Sequence, residues 1–169
     1  MRKVLPLLAL AAAISCNNEV TGLAPPSDPT AETFAPSLGV NISAMSKTAS
    51  GVWYLDGIVG TGKTDTATTD SITINYVGRI KDGSQFDAAT NVTFPTASIV
   101  VGMRTGLLGM KEGGKRKLVI PSALGYGAQA IRDTAGKVTI PRQSTLVFDV
   151  DLIKVFNRVD TTKAAFQKP

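Results

Sequence analysis

Histidine is absent from this chain, and cysteine occurs once, at Cys16. Those two scarcities remove much chemistry. Ser-His-Asp and Cys-His nucleophilic sites need an imidazole as base, and zinc sites of the usual kind need Cys or His donors. Only carboxylate metal sites and carboxylate acid/base pairs survive that exclusion, and neither a metal nor a cofactor is expected. Long hydrophobic runs are also missing. The longest, Val4 to Ala13, is about ten residues, half of the ~20 that cross a hydrocarbon core. Nor is there a strong excess of one charge: 18 basic side chains stand against 13 acidic ones. If Arg2 and Lys3 are lost with a leader, 16 basic remain against 13. The one basic cluster, Lys115-Arg116-Lys117, reads as a solvated strand end, so no nucleic-acid partner is expected. What is present is a globular balance, 43% hydrophobic and 18% charged over 169 residues, enough for one domain and one core.

The N-terminus has the order of an export signal: basic Met1-Arg2-Lys3, the apolar run, then Ile14-Ser15-Cys16. Ala13-Ile14-Ser15-Cys16 resembles the bacterial lipobox, in which small residues precede a cysteine that is acylated and becomes the new N-terminus. Alanine stands at Ala13 where that pattern prefers leucine. The plainer alternative is an ordinary signal peptide with an incidental cysteine. The expectation is therefore a signal peptide over 1–15, lipidation at Cys16, and a lipoprotein anchored on the periplasmic side or at the outer membrane of a bacterium. Asn17, in place of an aspartate, weighs toward the outer membrane. Residues 16–46 carry Pro25, Pro26, Pro29 and Pro36 among small residues and read as a flexible, extended tether.

From Gly51 the pattern changes to short alternating runs. Ile72, Ile74, Tyr76 and Ile80 share one strand face, and Leu146, Phe148, Val150 and Leu152 share another while Asp149 and Asp151 point away. Val52 to Val59 and Lys117 to Ile120 add two more strands. Lys81-Asp82-Gly83-Ser84 is a turn, with Asp-Gly suited to a positive φ. Only Gly102 to Met110 reads as helical. The class is α+β, a curled antiparallel sheet over one short central helix, with the domain at 47–156 and a tail at 157–169. Gly57-Ile-Val-Gly-Thr-Gly62-Lys63-Thr64 satisfies a phosphate-loop pattern, yet a strand rather than a helix follows it. The backbone amides then lack the helix end that would direct them at an anion, and no nucleotide is expected.

Tyr76-Val-Gly78-Arg-Ile-Lys-Asp82-Gly83-Ser-Gln-Phe86-Asp87 resembles the FKBP-type signature Y-x-G-x-x-x-D-G-x-x-F-D. Gly106-Leu107, Met110, Gly113-Gly114, Leu124-Gly-Tyr126-Gly127, Ile140-Pro141 and Phe148-Asp149 follow in the family's order over about residues 51–156. The resemblance implies a peptidyl-prolyl cis-trans isomerase that assists folding of exported proteins. It implies Asp87, Tyr126 and Phe86 as catalytic residues, and a proline pocket of Tyr76, Phe86, Ile99, Val100, Met103, Tyr126, Ile140 and Phe148, with Val92 a further candidate wall. Met103 stands where the family usually has a tryptophan floor. Phe94 to Ile99 is about two residues short, and Thr90-Asn91 stands where an arginine often pairs with the aspartate. Arg132 to Lys137 reads as an exposed flap insertion. Such a pocket needs no nucleophile: it desolvates the proline and favours the twisted, less polar amide. Partners would be proline-containing segments of unfolded or exported proteins, met by a monomer. The rival reading is a binding module that holds such segments without turnover.

Overall fold

The alternating residues do build the sheet: Ile72, Ile74, Tyr76, Ile80, Leu146, Phe148, Val150 and Leu152 are all buried. The computed structural model describes residues 25–66 and 69–157. Its strands are β1 (Ser46–Lys47), β2 (Trp53–Ile58), β3 (Thr69–Ile80) and β4 (Gln85–Pro95), followed by helix α1 (Val101–Leu107). After the helix come β5 (Lys115–Ile120), β6 (Ile131–Arg132), β7 (Val138–Ile140) and β8 (Leu146–Asn157). Six strands form one antiparallel sheet in the order β1-β2-β5-β8-β3-β4, and β6 with β7 makes a separate hairpin. This is the expected α+β arrangement, with the main core enclosed between the sheet and α1.

Two glycines seat the helix. Gly102 and Gly106 lie four apart, on one helix face. A Cβ at Gly102 would stand 2.2 Å from Ile120 Cγ2, and one at Gly106 would stand 2.8 Å from Leu118 Cδ2. The backbone of α1 therefore rests directly on β5. The helix stops at Leu107, short of the expected Met110, and Gly109 follows in a left-handed conformation at φ 78°. Arg116, expected among solvated side chains, is only 8% exposed. Its guanidinium donates to both carboxylate oxygens of Asp56 at 2.6 and 3.0 Å and to the carbonyls of Gly106 and Leu108 at 2.8 and 3.2 Å. It lies 4.5 Å over the Tyr54 ring. The planar fork thus closes the carbonyl end of α1, which is why it left the solvent.

The phosphate-loop pattern is an inter-strand loop. Gly57 and Ile58 end β2, Thr64 bridges to Lys111, and a Cβ on buried Gly60 would meet the Lys111 and Glu112 carbonyls at 2.3 Å. The next described element after it is strand β3, not a helix. The flap insertion is as expected, an exposed turn from Asp133 to Lys137 between β6 and β7.

The tether reading needs correction over its described part. From Ser27 to Met45 the chain is laid on the outer face of the sheet in three short 3-10 turns, Pro29–Ala31, Pro36–Leu38 and Ile42–Ala44. Leu38 (3% exposed) and Met45 (8%) pack on Val119 and Val147, with Phe34, Val40, Ile42 and Trp53 around them. Prolines here start 3-10 turns instead of an extended linker, and apolar side chains between them have a dry surface to cover. The folded unit therefore includes the segment from Ser27 and does not start at residue 47. The expected signal peptide, Cys16 and the end of the tail lie outside the described residues.

Candidate active site

Four elements converge on one cleft of about 150 Å³, lined by Tyr76 (β3), Phe86, Asp87 and Phe94 (β4), Ser98, Ile99 and Val100 ahead of α1, Met103 on it, Tyr126, and Phe148 (β8). The strand register explains how β4 supplies so much of it. Arg79 pairs with Gln85 and Gly78 with Asp87, so one step on β3 faces two on β4 and Phe86 is the extra residue of a bulge. Phe86 turns inward there while its exposed neighbour Asp87 holds the rim. Gly78 makes the inward turn possible, because a Cβ on it would stand 2.7 Å from Phe86 Cζ and 2.8 Å from Phe148 Cε1.

The rings form a connected wall. Phe86 meets Phe148 edge to face with centroids 5.6 Å apart, and Tyr76 lies 6.2 Å from Phe148 and 6.0 Å from Phe94. Met103, 4% exposed, closes the bottom. The Tyr76 hydroxyl donates to Asp87 Oδ2 at 2.7 Å. Burial pushes the Tyr76 hydroxyl up to about 12, and the carboxylate that accepts its proton adds to the rise. Burial likewise raises half-buried Tyr126, with the negative charge of Asp87 as the smaller cause. Both phenols stay protonated through the neutral range, and Tyr76 donates to Asp87. Among the described residues no cation forms an ion pair with Asp87, so its charge is met by the Tyr76 hydroxyl.

Of the expected pocket residues, Tyr76, Phe86, Asp87, Ile99, Val100, Met103, Tyr126 and Phe148 come together. Ile140 does not join them: it is 2% exposed, paired with Ile131 at the base of the flap and packed into the core. Val92 packs on the core and is not a wall of the cleft either. Phe94 was not expected. Its signal, the alternation of Val92 and Phe94, lies in β4, where two register shifts blur the period of the strand. No cluster of three metal-ligating side chains occurs among the described residues.

The family model described as FKBP-type peptidyl-prolyl cis-trans isomerase matches residues 62–153, more than half of the chain. The chain belongs to the FKBP-type isomerase family. An FK506-binding protein of Neisseria meningitidis serogroup C is 44% identical over 91 residues, covering 50% of this chain and 79% of that protein. The FKBP-type isomerase FkpA of Buchnera aphidicola is 33% identical over 120 residues, covering 69% of this chain and 45% of the relative. Among solved structures, a peptidyl-prolyl isomerase from Pseudomonas syringae superposes with a TM-score of 0.61 at 33% identity, covering 68% of this chain and 82% of the other. This FKBP-type chain is accordingly an enzyme, an isomerase of the X–Pro peptide bond. The matched segment contains all the cleft residues named above.

Proposed function

We propose that this isomerase is an exported lipoprotein, held at a bacterial membrane through acylated Cys16, and that it speeds X–Pro rotation in exported chains by a non-covalent route. The observation that carries the catalytic part is the aromatic cleft with two protonated phenols beside Asp87 and neither an imidazole nor a thiol in its lining. The uncatalysed bond turns over tens to hundreds of seconds against a barrier of about 20 kcal/mol. Twisting it breaks amide conjugation and lowers the dipole of the amide. Phe86, Phe94, Phe148, Ile99 and Val100 strip water from the proline ring, so the planar, more dipolar ground state loses more than the twisted state does. Tyr126 donates to a substrate carbonyl and fixes the peptide. Asp87, anchored by Tyr76, faces the rotating carbonyl at the rim. Export rests on the basic and apolar start of the chain, and the anchor rests on the small residues before Cys16.

Two experiments test the parts separately. The chain from Asn17 onward, assayed on several X–Pro peptides, is expected to be active and to lose most of its rate in Phe86→Ala and Asp87→Ala. Binding of the peptides without acceleration would instead establish the holdase reading, which the soft Met103 floor favours. Radiolabelled palmitate fed to a bacterial host is expected to enter the full-length chain and not Cys16→Ala. Equal labelling of both would sink the anchor.

A further inference from the structure

Ser27 sits where the outer segment ends, 95 residues from Ser122 and 118 from Thr145 in sequence, yet it bonds to both. Its backbone N–H donates to Ser122 Oγ at 2.8 Å, and its hydroxyl oxygen accepts from Ser122 N at 2.7 Å and from Thr145 Oγ1 at 2.7 Å. Ser122 and Thr145 are both fully buried. Ser122 in turn donates its hydroxyl to Gln143 Oε1 at 2.9 Å. Its carbonyl accepts from Gly125 N at 3.0 Å and Gly127 N at 2.8 Å, and Gln143 N closes the loop on the Gly127 carbonyl at 2.7 Å. The residue bracketed by those two glycines is Tyr126. Thr145, the other partner, immediately precedes β8, which carries Phe148 three residues on.

We infer that Ser27 is a positioning residue for Tyr126: through Ser122 it fixes the loop that aims the Tyr126 hydroxyl into the cleft. The reason is one of accounting for donors. Ser122 and Thr145 are fully buried and both donate to Ser27 Oγ, so removing that oxygen takes the acceptor from two buried donors. A loop that shifts to re-pair them moves both amides that flank Tyr126. Misplacement of a catalytic donor by fractions of an ångström is costly in rate. The outer segment thereby becomes part of the active site without touching substrate. This inference rests on the reading of Tyr126 as the donor to the substrate carbonyl.

A double-mutant cycle on the full-length chain in detergent, measured as kcat/KM on an X–Pro peptide, tests it. Ser27→Ala is expected to lower kcat/KM roughly threefold to tenfold, mostly in kcat. Ser27→Thr, which keeps the hydroxyl, is expected to stay within about twofold of the parent. Added to Tyr126→Phe, Ser27→Ala is expected to cost less than about twofold more, because the group it positions is already gone. A parental rate in Ser27→Ala, an equal loss in Ser27→Thr, or a full loss carried into the Tyr126→Phe background overturns the inference. A parental rate in Tyr126→Phe itself strikes the reading of Tyr126 first, and the positioning role falls with it.

Discussion

Gly78 shows how much one missing side chain can decide. It faces the same way as Tyr76 and Ile80, and Phe86 and Phe148 fill the space where its Cβ would be. Its backbone is ordinary, so the demand is purely steric. Gly78→Ala is expected to cost about 1–3 kcal/mol of stability and to push one ring into the cleft, reducing kcat/KM more than the loss of folded protein explains. Urea unfolding and an isomerase assay on the same sample separate the two effects. Tyr76 makes a different demand. Its hydroxyl ionises near 12 when folded and near 10 when unfolded. The unfolded state gives up this proton first as pH rises, so the stabilisation is complete below pH 10 and drains away between 10 and 12. The urea midpoint should fall more steeply over that interval in the parent than in Tyr76→Phe, whereas equal slopes would show that Tyr76 is not the group responsible. Below about pH 9 the rate should show no limb from either tyrosine, since Tyr126 is raised as well.

Among the elements, α1 depends on its neighbours to an unusual degree. Seven residues make a marginal helix, two of them are glycine, and no side chain caps its start. Arg116 supplies what the helix lacks, and Met103, the floor of the cleft, rides on the result. Arg116→Ala is expected to destabilise by about 2–4 kcal/mol by leaving two carbonyls and Asp56 unmatched. Gly102→Ala should be comparably costly, because its Cβ would meet Ile120 Cγ2 at 2.2 Å and the Leu124 carbonyl at 3.0 Å. Thermal melts of the two variants check this. The elements also differ in how legible they were. β3 and β8 could be read because their apolar residues keep a period of two with one buried face. β4 could not, since the bulge at Phe86 and a second slip near Asn91, at φ 53°, shift the period twice within 11 residues. Phe94 was hidden with it. The wrong tether reading had a readable warning: Leu118-Val119-Ile120 and Leu146-Val147-Phe148 are unbroken apolar runs, the sign of strands covered on both faces. The pocket motif was legible because each of its residues fills a particular place, down to the empty place at Gly78. Ile140 lies in the core beside the flap, a place that sequence does not distinguish from a cleft wall because both leave the same mark.

At the scale of the whole molecule, the outer segment changes where the folded unit starts. A chain cut to begin at residue 47 loses Leu38 from the outer face, Met45 with it, and every bond to Ser27. Its cost is expected to be about 2–4 kcal/mol, two buried apolar side chains less the entropy of ordering the segment. Urea titration of fragments beginning at Pro25 and at residue 47 should show the longer one with the higher midpoint, and identical midpoints would mean that the segment merely rests on the sheet. The seated segment also sets the length of any leash. Only 11 residue steps separate Cys16 from Ser27, a span of at most about 40 Å even fully stretched. A loose tether running to Ser46 would have allowed roughly 100 Å. If Cys16 carries lipid, the volume that the cleft can sweep shrinks by about the cube of that ratio, more than tenfold, and its effective concentration at the bilayer rises in proportion. Such an enzyme would meet its substrates as they emerge at the surface, and would be a poor match for chains already adrift in the periplasm.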